Sequence, residues 1–318
     1  MTIEETAKAD QEKESSKVKA KVIDQLLYRH WNRWTDGKFS HVFMMPSEGG
    51  AAIDLTPGAY NCPPISLGGE QDYTLSPDGK FFYFVKNTDP MVAISTNNDI
   101  FVRTMADGVE RRITTNRGND NSPVCSLDGN YLAYLSMQRE GFEADQFDLM
   151  LLELKTGEVK NLTKDFDRDV GYPLFSPDGY LYFISENQGK YSSYRIKASG
   201  GAVEKVIDEH FDLSLNLTPD GKKLVFLRQA VNLPFEIFTA NADGTQVAQR
   251  TFTNQKLLDQ IEMNPLEDFW FQASDGWRVH GLMVRPPHFD PNKKYPVICL
   301  IHGRSEERRV GKECRSRW

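Results

Sequence analysis

Cysteine is scarce in this chain. Cys62, Cys125, Cys299 and Cys314 are scattered through 318 residues, with no C-x-x-C pair and no histidine at metal-ligand spacing. That pattern suggests neither a zinc site nor a disulfide framework, and no metal or cofactor is expected. No run of ~18 apolar residues occurs, so no transmembrane helix is expected. The first residues, MTIEETAKADQEKESSK, lack the apolar stretch a secretory signal needs. Positive charge is in the minority, 38 Lys and Arg against 45 Asp and Glu for a net charge of −7. Phosphate-backbone binding needs a basic face, so nucleic acid is not an expected partner. The last fifteen residues run the other way, with six Lys or Arg against three Glu, and this contrast sets 304–318 apart from the rest.

What is present is enough for a sizeable core. With 39% hydrophobic and 26% charged residues, the composition fits one large or two ordinary domains. A repeat organises most of the chain. Its first half reads SPDGKFFYFV from Ser76, SLDGNYLAYLS from Ser126, SPDGYLYFIS from Ser176 and TPDGKKLVFL from Thr218, at spacings of 50, 50 and 42 residues. Its second half is a short apolar strand, a Gly turn and a strand that tends to close on Ile-Thr or Leu-Thr, as in DLMLLELKTGEVKNLT. Asp-Gly and Gly-Gly supply the positive φ of tight turns between strands rich in Tyr, Phe, Val and Ile. Two such hairpin halves make a four-stranded sheet, and units of ~40–50 residues built this way point to β-propeller blades.

Asp78, Asp128, Asp178 and Asp220 recur in the repeat and invite a reading as paired catalytic or metal-binding carboxylates. Each precedes a glycine in a turn, however, where an Asp side chain bonds its own backbone, and turn chemistry is the better reading. Trp31 and Trp34 are candidates for stacking on a ligand or, preferably, for packing in a core or between domains. A fifth second half, HVFMMPSEGGAAIDLT from His41, has no first half before it. Ahead of it, Val18, Val22 and Leu26 recur at helical spacing beside Ile23 and Leu27. Either a helix replaces the missing strands or the native chain starts further upstream, the latter being preferred.

After Asn254 the repeat ends. Phe269 to Ala273 and Trp277 to Val284 flank Ser274-Asp275-Gly276 as strand, turn and strand. Val297 to Ile301 is a continuous apolar run of the kind taken by a strand covered on both faces of an α/β sheet.

The ordered combination of S-P-D-G repeats, F-x-A-S-D-G-W-x-V-x-G and F-D-P-N-K-K-Y-P-V-x-x-x-I-H-G resembles the prolyl oligopeptidase family of serine peptidases, nearest its acylaminoacyl-peptidase and dipeptidyl-peptidase-like branch. The likeness covers about Lys21 to Gly303. It implies a propeller set over an α/β-hydrolase domain that cleaves peptides with a Ser nucleophile, a His base and an orienting Asp. It also implies that His302 and Gly303 open the loop that helps receive the oxyanion. The family's second glycine is Arg304 here, and there the likeness stops.

The expected fold is therefore mainly β: a charged lead and helix (1–40), a partial propeller (41–258), the first strands of an α/β-hydrolase domain (259–303) and a foreign tail (304–318). Gly303-Arg304-Ser305-Glu306-Glu307 fails as a G-x-S-x-G elbow, because Glu307 replaces the final glycine and neither Asp nor His follows Ser305. The tail reads as translated sequencing adapter rather than as a basic docking segment or an ordinary solvated terminus. The parent protein is expected to be a serine peptidase acting on peptides, and this chain a fragment without the triad, inactive and prone to association. The alternatives are a stand-alone propeller that binds peptides or proteins and a non-peptidase esterase.

Overall fold

A computed structural model describes residues 3–300 apart from Gln25 and Glu209. These residues form two compact units. One runs up to Ser185 and includes Tyr194–Glu204; the other comprises Glu186–Ser193 and the residues from Lys205 onward.

Each of the first three Ser-x-Asp-Gly segments opens a meander of antiparallel strands, as the repeat requires. The first blade is Tyr73–Leu75, Phe81–Asn87, Asn98–Thr104 and Glu110–Arg112. The second is Asp120–Cys125, Tyr131–Ser136, Asp148–Glu153 and Val159–Asn161. The third follows as Gly171–Phe175, Tyr180–Asn187, Lys190–Lys197 and Glu204–Ile207. The half repeat from His41 forms the short pair Phe43–Met44 and Ile53–Asp54. First strands stand side by side, the second blade's next to those of the first and third. That is the arrangement of innermost strands around a propeller axis.

The blades hold together because their second strands are apolar on both faces. In the first blade Phe82 and Phe84 pack with Leu55, Cys62 and Phe101, whereas Tyr83 and Val85 pack with Leu132 and Tyr134 of the second. Ala133 and Leu135 of the second blade then meet Phe175, Leu181 and Phe183 of the third. Alternate residues of one strand thus serve two interblade cores, each large side chain worth ~1.5–3 kcal/mol on full burial.

The Ile-Thr and Leu-Thr endings have a physical role. The Thr56 hydroxyl accepts the backbone N–H of Val42 at 2.9 Å, Thr114 that of Ile100 at 2.9 Å, and Thr163 that of Leu149 at 2.8 Å. In the second unit Thr251 repeats the bond with Ile237 at 2.8 Å. Each clasp ties the end of a blade to the start of its third strand.

The second unit contains a fourth meander, Phe211–Leu217, Lys223–Ala230, Leu233–Asn241 and Ala248–Gln249. It also contains the hairpin of Leu266–Gln272 with Arg278–Val284, turned by Gly276 at φ +90°. The tip of the third blade's central hairpin belongs to this unit, where Lys190 pairs with Asp268 at 3.1 Å.

Three expectations are corrected. Helix forms at Ile3–Ser15, not across Val18 to Leu27. Val18, Val22 and Leu26 lie exposed, so the helical spacing there has no surface to bury against, while the Glu-, Ala- and Lys-rich lead is helical by propensity. Val297–Leu300 forms no strand; these residues have no pairing partner among the described residues, and Val297 and Leu300 are about nine-tenths exposed. Trp31 and Trp34 are exposed rather than packed in a core. Trp34 lies beside Tyr28, ring centres 5.9 Å apart, with the Lys21 ammonium 5.1 Å from its ring.

Candidate functional site

The recurring aspartates are turn residues. Asp78 accepts the Ser76 hydroxyl at 2.7 Å and the Lys80 N–H at 3.1 Å; Asp128 and Asp220 repeat this with Ser126 and Asn130 and with Thr218 and Lys222. These bonds hold the three carboxyls below their ordinary range, led by the Lys80 ammonium at Asp78 and by the Ser126 and Thr218 hydroxyls at the others. The copy at Ser176 differs: its hydroxyl is buried without a partner.

Three histidines are paired with carboxylates, the first step towards a general base. His41 Nδ1 lies 2.7 Å from Asp54 and its Nε2 donates to the Gly58 carbonyl at 2.9 Å, so neither nitrogen is free for a nucleophile. His280 contacts Asp268 at 2.8 Å, its ring stacked on Trp270 with centres 4.4 Å apart. His288 lies 2.6 Å from Glu262. Among the described residues no serine hydroxyl is hydrogen-bonded to any of the three, and a triad requires that contact. No group of three or more His, Cys, Asp or Glu fit to hold a metal occurs among the described residues either.

A groove of about 810 Å³ in the first unit is lined by Tyr28, Trp34, Tyr60, Lys86, Asn87 and Asp89 among others. Two of its charged groups are already engaged: Lys86 with Glu110 at 2.8 Å, and Asp89 with Ser95 at 2.6 Å and Asn97 at 2.9 Å. It offers no nucleophile with a base.

The distinctive geometry lies on the innermost strands. In the second blade Asn121 pairs with Leu135 and Val124 with Ala133, so Ser122 and Pro123 together face Tyr134. In the third, Tyr172 and Pro173 face Phe183 in the same way. In the second unit Ser214 and Leu215 face Phe226. Each is a β-bulge four residues ahead of the repeat's Ser or Thr. Its first residue has positive φ: 52° at Ser122, 55° at Tyr172 and 52° at Ser214. The prolines were a readable sign, since proline inside a sheet is confined to edges and bulges.

The first blade has no bulge; in its place stands Asp72, fully buried. Asp72 accepts the Gly69 N–H at 2.7 Å and reaches into the second blade to accept the Ser122 N–H at 3.1 Å. Burial outweighs these bonds and pushes its carboxyl up to about 6. Asp120 is likewise pushed up to about 6 by burial, against hydrogen bonds from Ser136, Thr114 and Asn116. Next to it, Asp99 is raised by burial and pairs with Arg112. These carboxylates join strands and blades.

His302 and Gly303, and the 304–318 tail, lie outside the described residues. No family model matches the chain. Dipeptidyl-peptidase 5 of Porphyromonas gingivalis is 27% identical over 295 residues, a match covering 90% of this chain and 43% of that protein. Dipeptidyl-peptidase 5 of Schizosaccharomyces pombe is 27% identical over 304 residues, covering 89% and 43%. The chain is thus similar to dipeptidyl-peptidase 5 proteins over about nine-tenths of its length.

The acylaminoacyl peptidase of Pyrococcus horikoshii superposes on 68% of the chain and 32% of its own length, with a TM-score of 0.55 at 18% identity, which shows a shared fold. The chain spans less than half the length of these two dipeptidyl-peptidase 5 proteins.

Proposed function

We propose that this chain is the substrate-receiving part of a prolyl oligopeptidase-type serine peptidase: a propeller (41–258) that admits peptides, followed by the opening elements of the hydrolase domain (259–303). The observation that carries this reading is the match to dipeptidyl-peptidase 5 across nine-tenths of the chain, running through both the repeats and the hairpin that follows them. Two dipeptidyl-peptidase 5 proteins from unrelated organisms match over nearly the same share, so the likeness is not confined to the turn motif. In this reading His302 and Gly303 stand where the oxyanion loop begins, and the nucleophile and its base are not supplied by the described residues.

The proposal is tested with a fluorophosphonate probe and a dipeptidyl anilide, both applied to the 318-residue chain. No serine becomes labelled and no anilide is released. Covalent labelling of one serine, accompanied by turnover lost when that serine is replaced, would overturn the assignment.

A further inference from the structure

Tyr172 occupies a backbone position that its own side chain disfavours. At φ 55° it is in the left-handed region, where a bulky residue is an outlier and Gly, Asn or Asp is at ease. Strain of this kind persists only where something offsets it. Burial does not, because the Tyr172 side chain is 49% exposed while its bulge partner Pro173 is buried.

The equivalent position one blade earlier shows what a purely structural solution looks like. Ser122 is small, 2% exposed, and sealed by the Asp72 carboxylate from the adjoining blade. At Tyr172 the backbone conformation is the same, yet a large aromatic ring stands half in solvent on the strand nearest the propeller axis. Its hydroxyl is bonded to no side chain among the described residues. Bulges re-aim side chains and concentrate beside functional sites, and an exposed tyrosine offers a flat apolar face with one polar end.

We infer that Tyr172 is a peptide-contacting residue of the propeller, its ring stacking on an aromatic side chain of the incoming peptide. This rests on the reading of the propeller as the peptide-receiving part. The conformation of the bulge presents the ring, and the residue is retained for contact rather than for folding.

Calorimetric titration of the full chain with the tetrapeptides Val-Ala-Phe-Ala and Val-Ala-Ala-Ala tests the inference, using Tyr172→Phe and Tyr172→Asn beside the wild type. The wild type should bind the Phe peptide at least fivefold more tightly than the Ala peptide. Tyr172→Phe should keep most of that preference. Tyr172→Asn should abolish it while melting no lower than the wild type, because Asn tolerates the left-handed backbone. A retained preference in Tyr172→Asn, or a lower melting temperature, overturns the assignment and leaves the peptide-receiving propeller standing. Failure of the wild type to bind either peptide removes the peptide-receiving reading, and this inference with it.

Discussion

The Asp72 carboxylate accepts the backbone N–H of Ser122, fifty residues further along the chain, across the joint between the first and second blades. A bulge removes Ser122 from the regular ladder, and the neighbouring blade supplies the acceptor that the ladder does not. The bond is fully buried, so solvent cannot replace it.

Replacing Asp72 with Ala should destabilise the chain by ~2–3 kcal/mol, the usual cost of stranding buried donors. Asp72→Asn, which can still accept one N–H, should cost less. The shift of the urea midpoint measures both. An Asp72→Ala midpoint equal to that of the wild type would show that water satisfies the Ser122 N–H.

Asp72 and Asp120 also set a pH dependence. Both folded-state carboxyls are pushed up to about 6, above the ordinary aspartate value of ~4. The folded state therefore binds protons more tightly than the unfolded state between these limits. Their contribution is fully present below pH ~4 and is lost as pH rises through about 6, by at most ~3 kcal/mol for each group. Asp72 faces the Gly69 and Ser122 N–H groups; Asp120 faces Asn116, Ser136 and Thr114, with Asp99 close by and Arg112 paired to Asp99. Urea unfolding from pH 4 to 8 should show a shallower slope in Asp72→Asn and in Asp120→Asn than in the wild type. Parallel curves would contradict the assignment.

The threonine clasps should each carry a measurable share of stability. Thr163→Val removes the acceptor for the buried Leu149 N–H and should cost ~1–3 kcal/mol, whereas Thr163→Ser should cost under ~1 kcal/mol. Thr56, more than a hundred residues away on a separate blade, should add independently in a double variant. Equal losses for Thr163→Val and Thr163→Ser would mean that the methyl group, not the hydroxyl, matters.

The turn aspartates supply an internal control. Asp128→Ala loses bonds to Ser126 and Asn130 and should cost ~1 kcal/mol. Asp178→Ala, where Ser176 is unpartnered, should cost less. Thermal melts of the two variants decide it, and equal losses would place the value of the motif in the glycine alone.

Much of this was legible from the amino acids. Ser-Pro-Asp-Gly fixes the turns, the apolar runs fix the second strands, and Asp-Gly-Trp fixes the hairpin at Gly276, because these are local choices of turn geometry and burial. The Ile-Thr endings were visible without their role, since the bond to Leu149 or Ile100 joins residues fourteen apart. The joint from Asp72 to Ser122 was illegible, because nothing near Asp72 announces which N–H it will meet. The bulges were half announced by Pro123 and Pro173. Spacing alone misplaced the helix, because Val18, Val22 and Leu26 carry helical periodicity with nothing to pack against, and a strand at Val297–Leu300 needs partners that periodicity cannot supply.

The most direct test of the central claim is equilibrium binding of short peptides to the purified chain, with circular dichroism confirming that its sheets are folded. Saturable binding of free tetrapeptides, without their cleavage, is the expected result. A folded chain that binds no peptide, or one that hydrolyses them, would contradict the account.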